Sequence, residues 1–185
     1  GKASGFGATL DLSSLDGTNG FRLDGEENHD FSGSSVSSAG DINGDGFADL
    51  IVGAPAADPN GFGSGSSYVV FGKATGFSAT INLSILDGSN GFRLDGVAVG
   101  DFSGRSVSSA GDVNGDGFDD LIVGARRASP NGSHSGSSYV VFGKAAGVQA
   151  AKTLDGGQKH ADLPKNAGEE ALARLDRYRY AKGNT

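Results

Sequence analysis

The sequence predicts an all-β protein of short strands, organised as two copies of one unit followed by a tail of different composition. Three observations carry that prediction. Glycine occurs 33 times in 185 residues, at fixed places beside β-branched and aromatic runs, which is the pattern of short strands joined by tight turns. The chain repeats itself with a constant shift of 71 positions, from Lys2/Lys73 to Ala74/Ala145, so that NGFRLDG at 19–25 returns at 90–96 and GSSYVVFGKA at 65–74 returns at 136–145. Each copy also sets an acidic loop between two strand-like runs, GDINGDGFADLIVGAP from Gly40 and GDVNGDGFDDLIVGAR from Gly111.

The repeat divides the chain into an excursion leading into an outer strand (1–19), a first repeat (20–90), a second repeat (91–147) and a tail (148–185). Within a copy, SSVSSAG (34–40) is small and partly alternating, and is expected to be the first strand. DLIVGA (49–54) is a continuous apolar run of the kind found in strands buried on both faces. SYVVFG (67–72) is β-branched and aromatic, and FRLDG (92–96) alternates into an Asp-Gly turn. Four short strands per copy in an up-and-down order describe a β-propeller blade. The segment ATGFSATINLSILDGSNG before the fourth strand reads as an excursion with its own apolar staple of Phe77, Ile81, Leu83 and Leu86. In the tail, Asn166 and Glu169 form a capping box, and Ala171, Leu172, Leu175 and Tyr178 make an apolar stripe. They predict a helix over 167–181.

Composition removes several function classes. A net charge of −7 lacks the basic stripe that replaces counterions on nucleic acid, and suits a protein that holds cations. The absence of cysteine excludes disulfides and thiolate-ligated metal. The absence of methionine, even at position 1, suggests a processed product or an excised segment. No apolar run approaches the roughly 20 residues that span a bilayer. His29, His134 and His160 sit in unlike contexts, and neither a Gly-x-Ser-x-Gly elbow nor a His-Glu-x-x-His motif is present. A non-catalytic chain is expected.

The acidic loop carries the chemistry. Asp41, Asn43, Asp45 and Asp49 place oxygen side chains at positions 1, 3, 5 and 9, with glycine at position 6 and a backbone carbonyl available at position 7. Calcium takes six to eight hard oxygens, whereas magnesium prefers a tight octahedron and keeps several waters. Without a cation, three carboxylates so close would repel one another. Val52 and Val123 stand where an EF-hand has its bidentate glutamate, and the ninth-position aspartate leads into a strand instead of a helix. One such loop could be an acidic surface turn. Two in register, each after SVSSAG and before DLIVGA, argue for a metal.

FSGSSVSSAGDINGDGFADLIVGAP followed by GSSYVVFG resembles the FG-GAP repeat of integrin α-subunit β-propellers and their bacterial relatives, over residues 20–145. The resemblance implies one calcium site formed by Asp41, Asn43, Asp45, the Phe47 carbonyl and Asp49, and a second formed by Asp112, Asn114, Asp116, the Phe118 carbonyl and Asp120. It implies an extracellular module used in adhesion or self-assembly, or alternatively a propeller segment that accompanies a secreted hydrolase. Phe31-Ser32-Gly33 stands where the family often has Phe-Gly, and Arg126 replaces the proline of the second GAP. Neither departure touches the implied ligands, but both weaken any transfer of integrin ligand specificity.

The number of blades raises a further expectation. Propellers close with about four to eight blades, and two cannot make a ring. The first outer strand (Phe21–Gly25) has no blade of its own, while the second blade stops after its third strand (Tyr139–Gly143). Exchange of the outer strand between chains would complete every blade, in a ring of six or eight or in an open filament. A fragment of a longer array is the alternative. The copies differ mostly in the connections opposite the acidic loops, EENH (26–29) against VAVG and PAADPNGFG (55–63) against RRASPNGSH. Neutral drift of surface loops is the favoured explanation. The alternative is a face for a protein or glycan ligand, where Glu26, Glu27 and Asp58 from one copy pair with Arg105, Arg126 and Arg127 from the other or present a mixed-charge surface with them.

Overall fold

The computed structural model describes Gly5 and residues 7–145. The tail helix expected over 167–181, and His160, lie outside the described residues. Nine strands run in chain order: β1 (Arg22–Asp24), β2 (Ser35–Gly40), β3 (Asp49–Ala54), β4 (Ser66–Val70), β5 (Thr80–Asn82), β6 (Gly91–Asp95), β7 (Ser103–Gly111), β8 (Asp120–Ala125) and β9 (Ser137–Val141). Among the described residues the only helical pieces are two 3-10 turns, Leu12–Ser14 and Leu83–Ile85, each started by a side chain (Asp11 or Asn82) accepting an amide two residues on. The regular structure of the described residues is almost entirely β, as the sequence predicts for them.

The first repeat and the opening strand of the second form an antiparallel four-stranded sheet in the order β2-β3-β4-β6, and the rest of the second repeat forms β7-β8-β9. Neighbouring strands within each of these two sheets run up and down, every pair antiparallel. The sheets do not close into a ring. The orphan outer strand is used in a way the repeat pattern does not announce: β1 pairs in parallel with β5 of the excursion, Leu23 opposite Ile81.

Two apolar clusters follow from strand alternation. Ala39, Ile42, Ile51 and Val69 of the first sheet face Leu121 and Val123 of the second, with Phe71, Phe92, Val107 and Val141 around them. The opposite side of the first sheet presents Val52, Tyr68 and Val70 to Leu83, with Leu23, Ile81 and Leu86 alongside. The expected staple of Ile81, Leu83 and Leu86 is therefore real, while Phe77 stacks on Phe21 at 4.2 Å between ring centroids. With cover on both sides, β4 is buried at all five positions. Its counterpart β9 has the same sequence, SSYVV, yet alternates between intermediate and exposed.

The sheets stack closely because small residues line the joint. A Cβ added to Gly53 would collide with the carbonyl oxygen of Gly104, and one at Gly65 would collide with the Ser103 backbone. Main-chain bonds cross at the same place, from Ser103 N to Ser64 O at 3.0 Å and from Phe102 N to Gly63 O at 2.9 Å. The Ser35 hydroxyl adds a bond to Gly104 O at 2.8 Å. Gly124 is the repeat partner of Gly53, but an added Cβ there would press only on the Ser106 side chain. Gly53→Ala is therefore expected to lower stability by about 2–3 kcal/mol through overpacking and Gly124→Ala by clearly less. Urea unfolding of the two variants, compared at equal slope, measures the difference.

Candidate metal centre

The acidic loops occupy the β2–β3 and β7–β8 connections, one at the end of each inner hairpin. Each loop is curled by its own side chains. In the first, Asp41 accepts the Asp45 amide on Oδ1 at 3.0 Å and the Gly46 amide on Oδ2 at 2.9 Å. Asn43 Oδ1 also accepts the Asp45 amide, and Asp45 Oδ1 accepts the Phe47 amide, both at 2.9 Å. The curl needs a left-handed backbone at Gly44 (φ 72°) and Gly46 (φ 87°), which glycine adopts without steric cost. The second loop repeats the pattern, with Asp112 accepting from Asp116 and Gly117, Asn114 from Asp116, and Asp116 from Phe118.

The ninth-position aspartates lie beneath the loops. Asp49 and Asp120 are completely inaccessible to solvent. Asp49 Oδ2 accepts the Ile42 amide at 3.0 Å and its Oδ1 the Gly72 amide at 2.8 Å; Asp120 does the same with Val113 and Gly143. Each carboxylate thereby ties the loop to the end of the third strand. Burial raises the pKa of Asp49 above the ordinary aspartate value. The two amides oppose that rise, and the charges of Asp45 and Asp41 add to it. The pKa of Asp112, which is fully exposed, is lowered mainly by the Gly117 amide.

The loops thus gather carboxylate and amide oxygens at the positions the sequence singles out, while Phe47 lies at the surface of its loop. Among the described residues, no three carboxylate or imidazole side chains stand close enough around one point to enclose an ion. The Asn43 amide donates to Asp45 Oδ2 at 2.9 Å, which turns Asp45 toward its neighbour. An accepted N–H leaves further lone pairs on a carboxylate oxygen. The donor set therefore remains one of hard oxygens suited in chemistry to calcium.

One residue of the centre escapes the motif. Asp119 of the second copy reaches across the sheets, and its Oδ2 accepts the Asp41 amide at 2.8 Å. Its own amide approaches Asp41 O at 3.3 Å, and the neighbouring Phe118 ring lies against Gly44. The repeat partner of Asp119 is Ala48, so GFADL against GFDDL was the available signal. The opposite ends of the sheets correct another expectation. Glu26 pairs with Arg93 of β6 at 2.9 Å and accepts the Tyr68 hydroxyl at 3.0 Å. Among the described ion pairs it does not meet Arg105, Arg126 or Arg127; Arg127 instead lies over the Phe102 ring at 5.0 Å. Phe62, Val97 and Val99 stand exposed at that end, where the Gly100 amide bonds to Phe62 O at 2.9 Å.

Comparison with known proteins settles the family. The FG-GAP repeat model matches residues 32–70 and 103–141, the spans that run from the start of each inner hairpin through the third strand. The chain carries two FG-GAP repeats. Its relatives include mouse integrin alpha-2 (Mus musculus), 37% identical over 93 residues that make up 50% of this chain and 7% of that protein. They also include the phosphatidylinositol-glycan-specific phospholipase D of Rattus norvegicus, 36% identical over 60% of this chain and 13% of that protein. The same-named protein of Dictyostelium discoideum is 32% identical over 69% of this chain and 14% of its own length. The FG-GAP chain therefore spans a small fraction of the curated relatives it matches. No helix among its described residues is long and apolar enough to cross a membrane.

Because Asp119 joins the first loop to the second repeat, Asp119→Ala is expected to cost about 1–2 kcal/mol, the worth of a charge-assisted hydrogen bond. Asp41→Asn, which keeps an acceptor without touching the Asp41 amide, should leave that bond intact. Chemical denaturation of the two variants in chelator separates the effects.

Proposed function

We propose that the chain is a calcium-stabilised, non-catalytic β-propeller module of an extracellular protein, acting in adhesion or self-assembly. The observation that supports this best is the duplicated loop: two copies of one oxygen-rich turn, with one hydrogen-bond pattern, each above a buried carboxylate. Asp41, Asn43, Asp45, the Phe47 carbonyl and Asp49 would hold one ion, and Asp112, Asn114, Asp116, the Phe118 carbonyl and Asp120 the other. The ion would supply positive charge where Asp49 now bears burial and two like-charged neighbours. Removing that strain would rigidify the turn between the inner strands. Weak sites of about 10⁻⁴–10⁻³ M suit millimolar extracellular calcium, and the integrin alpha relatives favour a cell-surface setting. The loops carrying Phe62, Val97 and Val99 at the far end would offer a surface to a protein or glycan ligand.

The phospholipase D relatives favour a second reading, a propeller segment accessory to a secreted hydrolase whose catalytic residues lie elsewhere. An extracellular calcium-dependent module serves either host. A hydrolase active site in the same polypeptide would select the second reading.

Titration calorimetry is expected to find two calcium ions per chain, falling to one in Asp45→Ala and to none when Asp116→Ala is added. At a Kd near 0.1 mM and 1–2 mM free calcium, each ion should stabilise the fold by roughly 1.5 kcal/mol. A melting temperature that ignores calcium and chelator alike would overturn the metal assignment.

A further inference from the structure

Six apolar side chains at the joint between the two sheets, Ile42, Ile51, Val69, Phe71, Val107 and Leu121, have repeat partners that lie exposed on the chain's two outer faces, whereas Val52 and Val70, the partners of Val123 and Val141, are buried against the excursion. Ile42, Ile51 and Val69 are 4%, 0% and 0% exposed where the second sheet covers them. Their partners Val113, Ile122 and Val140 are 57%, 37% and 47% exposed, and Phe142 is 57% exposed. The complementary side of the joint is built with Leu121 and Val107; their partners Leu50 and Val36 are 38% and 67% exposed on the first sheet. One molecule thus displays both halves of an interface that its own interior already contains in assembled form.

The strand edges match in the same way. In the first sheet, β6 (GFRLD) covers the edge of β4 with Ser66 opposite Asp95 and Tyr68 opposite Arg93. The Phe71 amide bonds to Asn90 O at 3.0 Å and the Gly96 amide to Gly65 O at 2.7 Å, so the even-numbered residues of β6 turn their backbone groups to β4. In the second sheet the edge of β9 has no described partner. The repeat partner of β6 is β1, which spends only one edge on β5. The Arg22 amide bonds to Ala79 O at 2.9 Å, so by strand alternation Phe21, Leu23 and Gly25 point their groups to the other edge. These are the repeat partners of the residues with which β6 grips β4.

We propose that β9 of one molecule takes β1 of a second copy as its outer strand, with Ser137 opposite Asp24 and Tyr139 opposite Arg22, while Val113, Ile122, Val140 and Phe142 pack on the second copy's Val36 and Leu50. This gives the self-assembly named above, and rests on that reading, a defined head-to-tail contact. The contact is heterologous, so copies add in one direction and form a ring or a filament. Main-chain bonds that join the repeats inside the chain carry over unchanged, because they do not depend on side-chain identity. One side-chain contact does not: Ala48 stands where Asp119 accepts the Asp41 amide. The contact between molecules is therefore weaker than the joint within one.

The test uses the full chain in calcium buffer, with molar mass followed by light scattering and sedimentation. The expected result is a mass that rises with concentration above the 18.5 kDa of one chain. Val140→Pro removes an amide that points to the open edge, a place where proline is tolerated. It should give monomers with unchanged circular dichroism and unchanged calcium binding, which separates the contact from the metal assignment. Ala48→Asp should tighten association several-fold. Because the chain has no cysteine, Asp24→Cys and Ser137→Cys chains mixed and oxidised should yield the mixed disulfide ahead of either homodimer. Wild-type chains that stay monomeric at every concentration, Val140→Pro chains that associate as the wild type does, or homodimeric disulfides in excess would each overturn the proposal.

Discussion

The fold depends on how closely two backbones approach. Gly53, Gly65 and Gly104 leave no room for a β-carbon between the sheets, so the main chains meet and exchange hydrogen bonds directly. That spacing brings Ile51 and Val69 into contact with Leu121 and Val123 and sets the Ser35 hydroxyl on Gly104 O. It also brings Asp119 to the Asp41 amide. A joint made this way is specified by absence of side chain more than by any one contact, which is why a glycine-rich composition coexists with an ordered core.

The acidic loops sit on top of this arrangement and take their shape from it. Asp49 and Asp120 anchor each loop from below to the end of the third strand, so loop conformation is coupled to sheet pairing. Asp41, Asn43 and Asp45 and their counterparts then shape the loop through their own amide bonds, at positions where two glycines permit the curl. A buried carboxylate under two exposed ones is unfavourable by itself. The amides at Ile42 and Gly72 offset part of that cost, and a divalent cation offsets the rest in the function proposed above.

The strands and the loop residues were legible in the sequence because their signals are local: β-branched runs, alternation, and an acid-glycine pattern repeated at a fixed shift. What escaped was non-local. The parallel pairing of β1 with β5 joins three-residue segments, RLD and TIN, that carry no distinctive pattern of their own. Asp119 looks like one more acid in an acidic loop, and its role appears only when the other repeat is placed beside it. Arg105, Arg126 and Arg127 invited pairing with Glu26 on charge alone, but Arg93 lies on a strand of the same sheet as Tyr68 and reaches Glu26 first. Sequence spacing reports which residues share a turn; it does not report which faces will stack.

The β1–β5 pairing also sets an order of events. β1 is made before β2 to β5, yet its partner Thr80–Asn82 lies almost a whole repeat further along. The strands between them form a meander whose neighbours are close in sequence, and such contacts close quickly because their loops are short. β1 must therefore wait, unpaired, while β2, β3 and β4 assemble, and it can dock only once the excursion has folded over Tyr68 and Val70. β1 is the last part of the first repeat to be secured, and the first that local unfolding would release.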